Sequence, residues 1–180
     1  MSLNRAVLAL GAVAVVGVAT VGASAAYAHH QGKPVPNAAV TVGSTWTQIK
    51  PFCYNGGKVI TVKQLAACNA TIEKKLTSGD VPTITVSSAN ANFSINLDQI
   101  AADNSWWAKY QGGVLVNTTK DTYAGPLSAT TVLTSTSQQT GAATVGTSGP
   151  VLVSEGSGGL TSAGGPIYGE WLFQLKVKGS

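Results

Sequence analysis

The chain has 180 residues, 44% hydrophobic and only 10% charged, with a formal net charge of +4. That length suits one domain with a real core. Apart from Arg5 every basic residue is a lysine, so the arginine fork favoured by nucleic-acid grooves and phosphate clamps is missing, which argues against a nucleic-acid partner.

The opening "MSLNR" carries one positive side chain, and residues 6–26 carry no charge. A basic start, an Ala/Val/Gly-rich apolar run and the small-residue step "AYA" read as a secretory signal peptide over 1–28, cleaved after Ala28. The alternative is a retained anchor, since an uncharged run of this length can span a bilayer. No twin arginine precedes the run and the first cysteine is Cys53, so general secretion without a lipid anchor at the cut is expected. The expected location is extracellular or the cell-envelope space, with no membrane contact after cleavage.

Residues 29–37, "HHQGKPVPN", are polar and carry two prolines. They read as an extended leader. His29, His30, Lys33, Pro34, Val35 and Pro36 form a segment that could engage a partner, for example by adding a strand to its sheet edge. His29 and His30 are the only histidines. A terminal histidine with a free amine can chelate Cu(II). A copper brace needs a second, distant histidine, however, and the absence of convergent ligands favours a plain leader over a metal site. No cofactor is expected.

From Ala38 to Ser180 the pattern is that of a β-sandwich domain. "AAVTVGSTWTQIKPF" alternates with period two and is rich in Val and Thr, which marks strands. "YNGG" between β-like runs predicts a hairpin continuing into "GGKVITVKQL". In "KQLAACNATIEKKLTSGD", Leu65, Cys68, Ile72 and Leu76 share one helical face and Ser78-Gly79 supplies a stop; the alternative is a loop with a short strand. Cys53 and Cys68, the only cysteines, read as a disulfide in a secreted chain. "VPTITVSS", "NFSINL", "SWWAKYQ", "GVLVNTT" and "LSATTVLTSTS" read as strands, with "DQIAAD" a single helical turn capped by Asp98. "GAATVGTSGPVLVSEGSGGLTSAGGP" reads as a loose loop with a short strand at 151–153. The closing "IYGEWLFQLKVKG" places Trp171, Phe173, Leu175 and Val177 on one strand face. The fold expected is mainly β: a single immunoglobulin-like antiparallel sandwich with one short helical insertion and a Cys53–Cys68 disulfide.

The order "VTVGSTWTQIKPFCYNGG", Cys68, "GDVPTITV", "LDQIAADNSWWAKYQ" and "GEWLFQLKV" resembles an uncharacterised actinobacterial family of secreted or lipid-anchored domains of unknown function with an immunoglobulin-like sandwich. The resemblance covers residues 38 to about 178. The chain departs from it in lacking a lipidated cysteine and in the helix-like insertion between its two cysteines. It implies compartment and fold, and no activity.

Chemistry is sparse. The seven carboxylates form no Asp-x-Asp pair of the calcium-loop kind, both histidines lie in the leader and both cysteines are expected to be oxidised. Nucleophilic catalysis therefore lacks its base, and no catalytic residue is expected. Sequons at Asn69, Asn92 and Asn117 are expected to be bare in a bacterial host. The candidate binding surface is Trp106, Trp107, Lys109 and Tyr110, since adjacent strand tryptophans face opposite ways and an exposed one would anchor a protein or a sugar. The expected role is a secreted, non-enzymatic binding module, an adaptor or subunit of a secreted or surface assembly such as a toxin particle, whose partner is another secreted or surface protein. The alternatives are an inhibitor of a secreted protease and an extracellular copper-binding protein.

Overall fold

The computed structural model describes residues 34–137, 140–157 and 165–180. The signal segment 1–28, the leader residues His29, His30 and Lys33, and residues 158–164 of the Gly/Ser-rich stretch lie outside them.

The described chain is mainly β, built from two principal sheets. The first has the order β2 (Thr45–Ile49), β1 (Ala38–Val42), β5 (Asn92–Leu97), β8 (Tyr123–Ser128), all antiparallel. The second runs β12 (Gly169–Val177), β11 (Ser148–Glu155), β6 (Trp106–Tyr110), β7 (Gly113–Thr119). On the free side of β12, β3 (Cys53–Tyr54) pairs antiparallel near its start and β4 (Thr83–Val86) parallel near its end. A small ribbon joins β9 (Thr134–Thr136) to β10 (Ala143–Val145). The architecture is the expected immunoglobulin-like sandwich, with the one parallel pairing as an addition.

Alternation decides which face goes inside. Phe93, Ile95 and Leu97 of β5 and Ala38 and Val40 of β1 face Trp106, Val151, Val153, Trp171, Phe173 and Leu175 in one core, as period-two strands require. β12 is buried along most of its length because its outer face is also covered. There Leu172 packs with Ile72 and Val81 in a second, smaller cluster.

That cover is helix α1 (Val62–Ser78), the predicted helix. Thr61 and Gln64 form a reciprocal capping box at its start, and Gly79 closes it in the left-handed region at φ 73°, where glycine alone carries no Cβ penalty. The Cys53–Cys68 disulfide forms, with Cα atoms 6.1 Å apart. It ties α1 to β3.

Four readings are corrected. "YNGG" does turn the chain, with the Lys58 amide donating to the Asn55 carbonyl at 3.0 Å, but it leads to α1 and no hairpin forms. "LSATTVLTSTS" is not one strand: α3 (Ala129–Leu133) interrupts it, burying Ala129, Val132 and Leu133. The Gly/Ser-rich stretch is less loose than expected: it contains β10, and the short strand at 151–153 is the middle of β11, a longer, central strand. Gly149 is there for close packing, since a Cβ would meet the Val132 carbonyl oxygen at 2.5 Å. Pro150 is tolerated because pairing to β6 begins only at Val151. Helix α2 (Gln99–Ala102) follows Asp98 as expected, but the Asp98 carboxylate makes no cap. It accepts from the Asn37 amide at 2.7 Å and so fastens the start of β1.

Candidate functional site

The adjacent tryptophans do face opposite ways, yet both are buried. Trp106 is 0% exposed in the core, and its indole Nε1 donates to the Asp121 carbonyl at 2.6 Å. Trp107 is 7% exposed on the outer face of the second sheet, with the Lys109 ammonium 5.6 Å from its ring centroid. An exposed tryptophan anchor at these positions is therefore ruled out. The exposed one is Trp46, at 65%. Of the predicted surface, Lys109 is exposed and Tyr110 half-buried.

Lys109 and Tyr110 do contribute to a site of another kind. They rim a cleft of about 640 Å³ between α1 and the outer face of the second sheet. Ile72, Pro150, Leu152 and Leu172 give it an apolar floor; Asn69, Glu73, Gln111 and Gln174 add to a polar rim. Leu76 stands at the edge, 37% exposed. Among the described residues the ion pair is Lys75–Asp80; Lys109 makes no such contact, and its charge acts on the Trp107 ring and on Glu170. Apolar floors with a polar rim are the anatomy of a recognition site.

Two carboxylates that the sequence reading passed over are buried: Glu155 and Glu170. Glu155 accepts from Asn104 Nδ2 at 2.6 Å and lies close enough to Tyr54 to help burial raise that phenol's pKa. The register sets Glu155 opposite Gly169 and Glu170 opposite Ser154. Strand alternation therefore sends the two carboxylates to opposite faces, and they cannot act together on one substrate. No group of three or more His, Cys, Asp or Glu converges among the described residues.

Glu170 shares the outer face with Ser154, whose Oγ lies 3.4 Å from Glu170 Oε1. Burial raises its pKa above the usual 4.5, while Lys109 and the Ser154 hydroxyl pull it down less strongly. Between the ordinary and the raised pKa the folded chain holds a proton that the unfolded chain has released. The penalty is absent below about 4.5, grows as pH rises from there, and is complete once pH passes the raised folded value. Glu170→Gln is expected to melt higher than wild type at neutral pH, with the gap closing on acidification. Thermal midpoints of both across about pH 3 to 8 check this; a gap that widens toward acid contradicts it.

The outer face of the first sheet differs from the rest of the surface. Pairing places Trp46 beside Thr41 and Thr41 beside Ser94, with Gln48, Ala39, Asn96 and Tyr123 in the parallel row. No side chain in these rows is a lysine, aspartate or glutamate. The face bears a shallow groove of about 390 Å³.

No family model, curated protein or solved structure matches this chain. The site is therefore read from its own chemistry. Among the described residues no helix is long and apolar enough to cross a membrane.

Proposed function

We propose that the chain is a secreted, non-enzymatic binding module that takes a segment of another extracellular protein into the cleft between α1 and the second sheet. It would serve as an adaptor or subunit of a secreted or surface assembly. The supporting observation is the cleft itself: an apolar floor beneath a helix held by a disulfide, with Lys109 at the rim and in no ion pair among the described residues. Such a site suits an apolar anchor side chain with an acidic neighbour. The opposite orientations of Glu155 and Glu170 support a non-enzymatic role, and the disulfide agrees with an oxidising compartment.

The test is native mass spectrometry of the chain purified gently from its host's culture fluid, beside Leu76→Lys and Lys109→Glu. Both changes lie on exposed positions and should leave the fold intact. A discrete heavier species that falls by about tenfold or more in either variant is the expected result. A lone chain, or a heavier species indifferent to both substitutions, defeats the cleft as the docking site.

A further inference from the structure

We propose that the outer face of the first sheet binds a neutral polysaccharide, independently of the protein-binding cleft on the opposite sheet. The face carries a shallow groove, and its two large side chains are aromatic and solvent-exposed: Trp46 at 65% and Tyr123 at 51%. Trp46 lies on β2 and Tyr123 on β8, the two edges of the sheet order β2-β1-β5-β8. Three strand spacings, about 14 Å, separate their strands, and Tyr123 stands one side-chain row along from Trp46. That is the reach of a short run of sugar rings.

The ground between the aromatics is hydroxyls and carboxamides. Thr41, Ser94 and Asn96 lie between the two edges and Gln48 extends the row. Each amide offers both donors and acceptors, and each hydroxyl can do either. A sugar presents the complementary pair: C–H faces that lie against an aromatic ring, and hydroxyls that both donate and accept. The groove lined by Thr41, Asn92, Ser94, Asn96 and Tyr123 runs over the same ground.

Charge narrows the ligand further. The chain carries ten lysines and seven acids, yet none of them stands in the paired rows of this face. An anionic polymer would find no cation there, and a charged protein epitope no counter-charge. An uncharged, hydroxyl-rich polymer loses nothing by this.

The phenol end of Tyr123 lies close over Gly125, where a Cβ would stand 2.8 Å from its hydroxyl oxygen and 2.6 Å from the Ser94 Cβ.

The experiment is native affinity electrophoresis of the disulfide-intact protein in gels cast with mixed-linkage β-glucan, mannan, arabinogalactan or α-1,4-glucan, with polygalacturonate as the anionic control. At least one neutral glycan should retard the protein. Trp46→Ala and Tyr123→Ala should each weaken that retardation by about tenfold or more without moving the thermal midpoint, since both side chains are exposed. Leu76→Lys should leave it unchanged, which separates this proposal from the cleft. It is overturned by no retardation by any neutral glycan, by retardation unaffected by both aromatic substitutions, or by retardation by polygalacturonate alone. Concentration-dependent dimerisation of the wild type that Trp46→Ala abolishes also overturns it, because Trp46 would then serve contact between copies.

Discussion

Trp106→Ala is expected to cost about 3–5 kcal/mol, the usual range for truncating a fully buried tryptophan. For a domain of this size that lowers the thermal midpoint by roughly 6–20 °C. Two losses combine. The indole is fully buried in the main core, in the same cluster as Trp171 and Phe173, and its removal leaves a cavity that two paired sheets cannot close. Its Nε1 also holds the Asp121 carbonyl at 2.6 Å. Asp121 lies in the connection from β7 to β8, where the chain leaves the second sheet for the first. The adjoining Thr122 carbonyl accepts from the Leu97 amide of β5 at 2.9 Å, so one indole helps fix where the two sheets meet. Trp106→Phe should recover part of the packing and none of this hydrogen bond. Trp46→Ala provides the contrast, expected within about 0.5 kcal/mol of wild type because its ring is exposed. Urea denaturation of the three variants decides the matter. Equal losses at Trp46 and Trp106 would contradict the burial pattern.

This tryptophan contrast marks where the sequence was legible. Alternation showed that Trp106 and Trp107 point to opposite faces, and that is geometry internal to one strand. Whether the outer face is covered depends on what folds over it, and period two holds no such information. The same limit explains β11. Its eight residues include Gly149, Pro150 and Glu155, residues that depress strand propensity. They are acceptable because of neighbours distant in the chain: Val132 over Gly149, the late start of β6 pairing beside Pro150, and Asn104 on Glu155. By contrast α1 was readable, because its apolar spacing, its glycine stop and its cysteine are all local signals. The hairpin at "YNGG" failed through competition. Asn-Gly supports a turn of either destination, and the capping pair Thr61 and Gln64 directed the following residues into a helix. Asp98 stood where a cap belongs, yet the Asn37 amide from 61 residues away took its carboxylate. The candidate site was half legible. Lys109 and Tyr110 stand out in sequence only beside the tryptophans, yet they matter for the cleft formed with α1; Trp46 alternates like any strand residue, and nothing local marks it as exposed.

Replacing both Cys53 and Cys68 with serine is expected to cost about 3 kcal/mol in the chain-entropy description of a loop this long, or roughly 6–12 °C in thermal midpoint. The loss should be unevenly distributed. No residue of α1 belongs to the main core, and Ile72 is its one buried residue. The helix is therefore held by the disulfide and by Ile72 against Val81 and Leu172, while the two sheets hold each other. Without the disulfide, local opening of α1 becomes easier than global unfolding. Hydrogen exchange should then accelerate over residues 62–78 more than over β11 and β12. A uniform loss of protection would mean that helix and sandwich unfold as one unit. Ile72→Ala sharpens the test. With the disulfide intact it should cost about 2 kcal/mol or more; in the double-serine background it should cost measurably less, because a helix that already undocks has less packing to lose. The same background should abolish capture of a protein partner, since the cleft loses one wall, and leave neutral-glycan retardation at the first sheet unchanged. A glycan interaction lost along with the disulfide would instead tie both activities to the integrity of the whole sandwich.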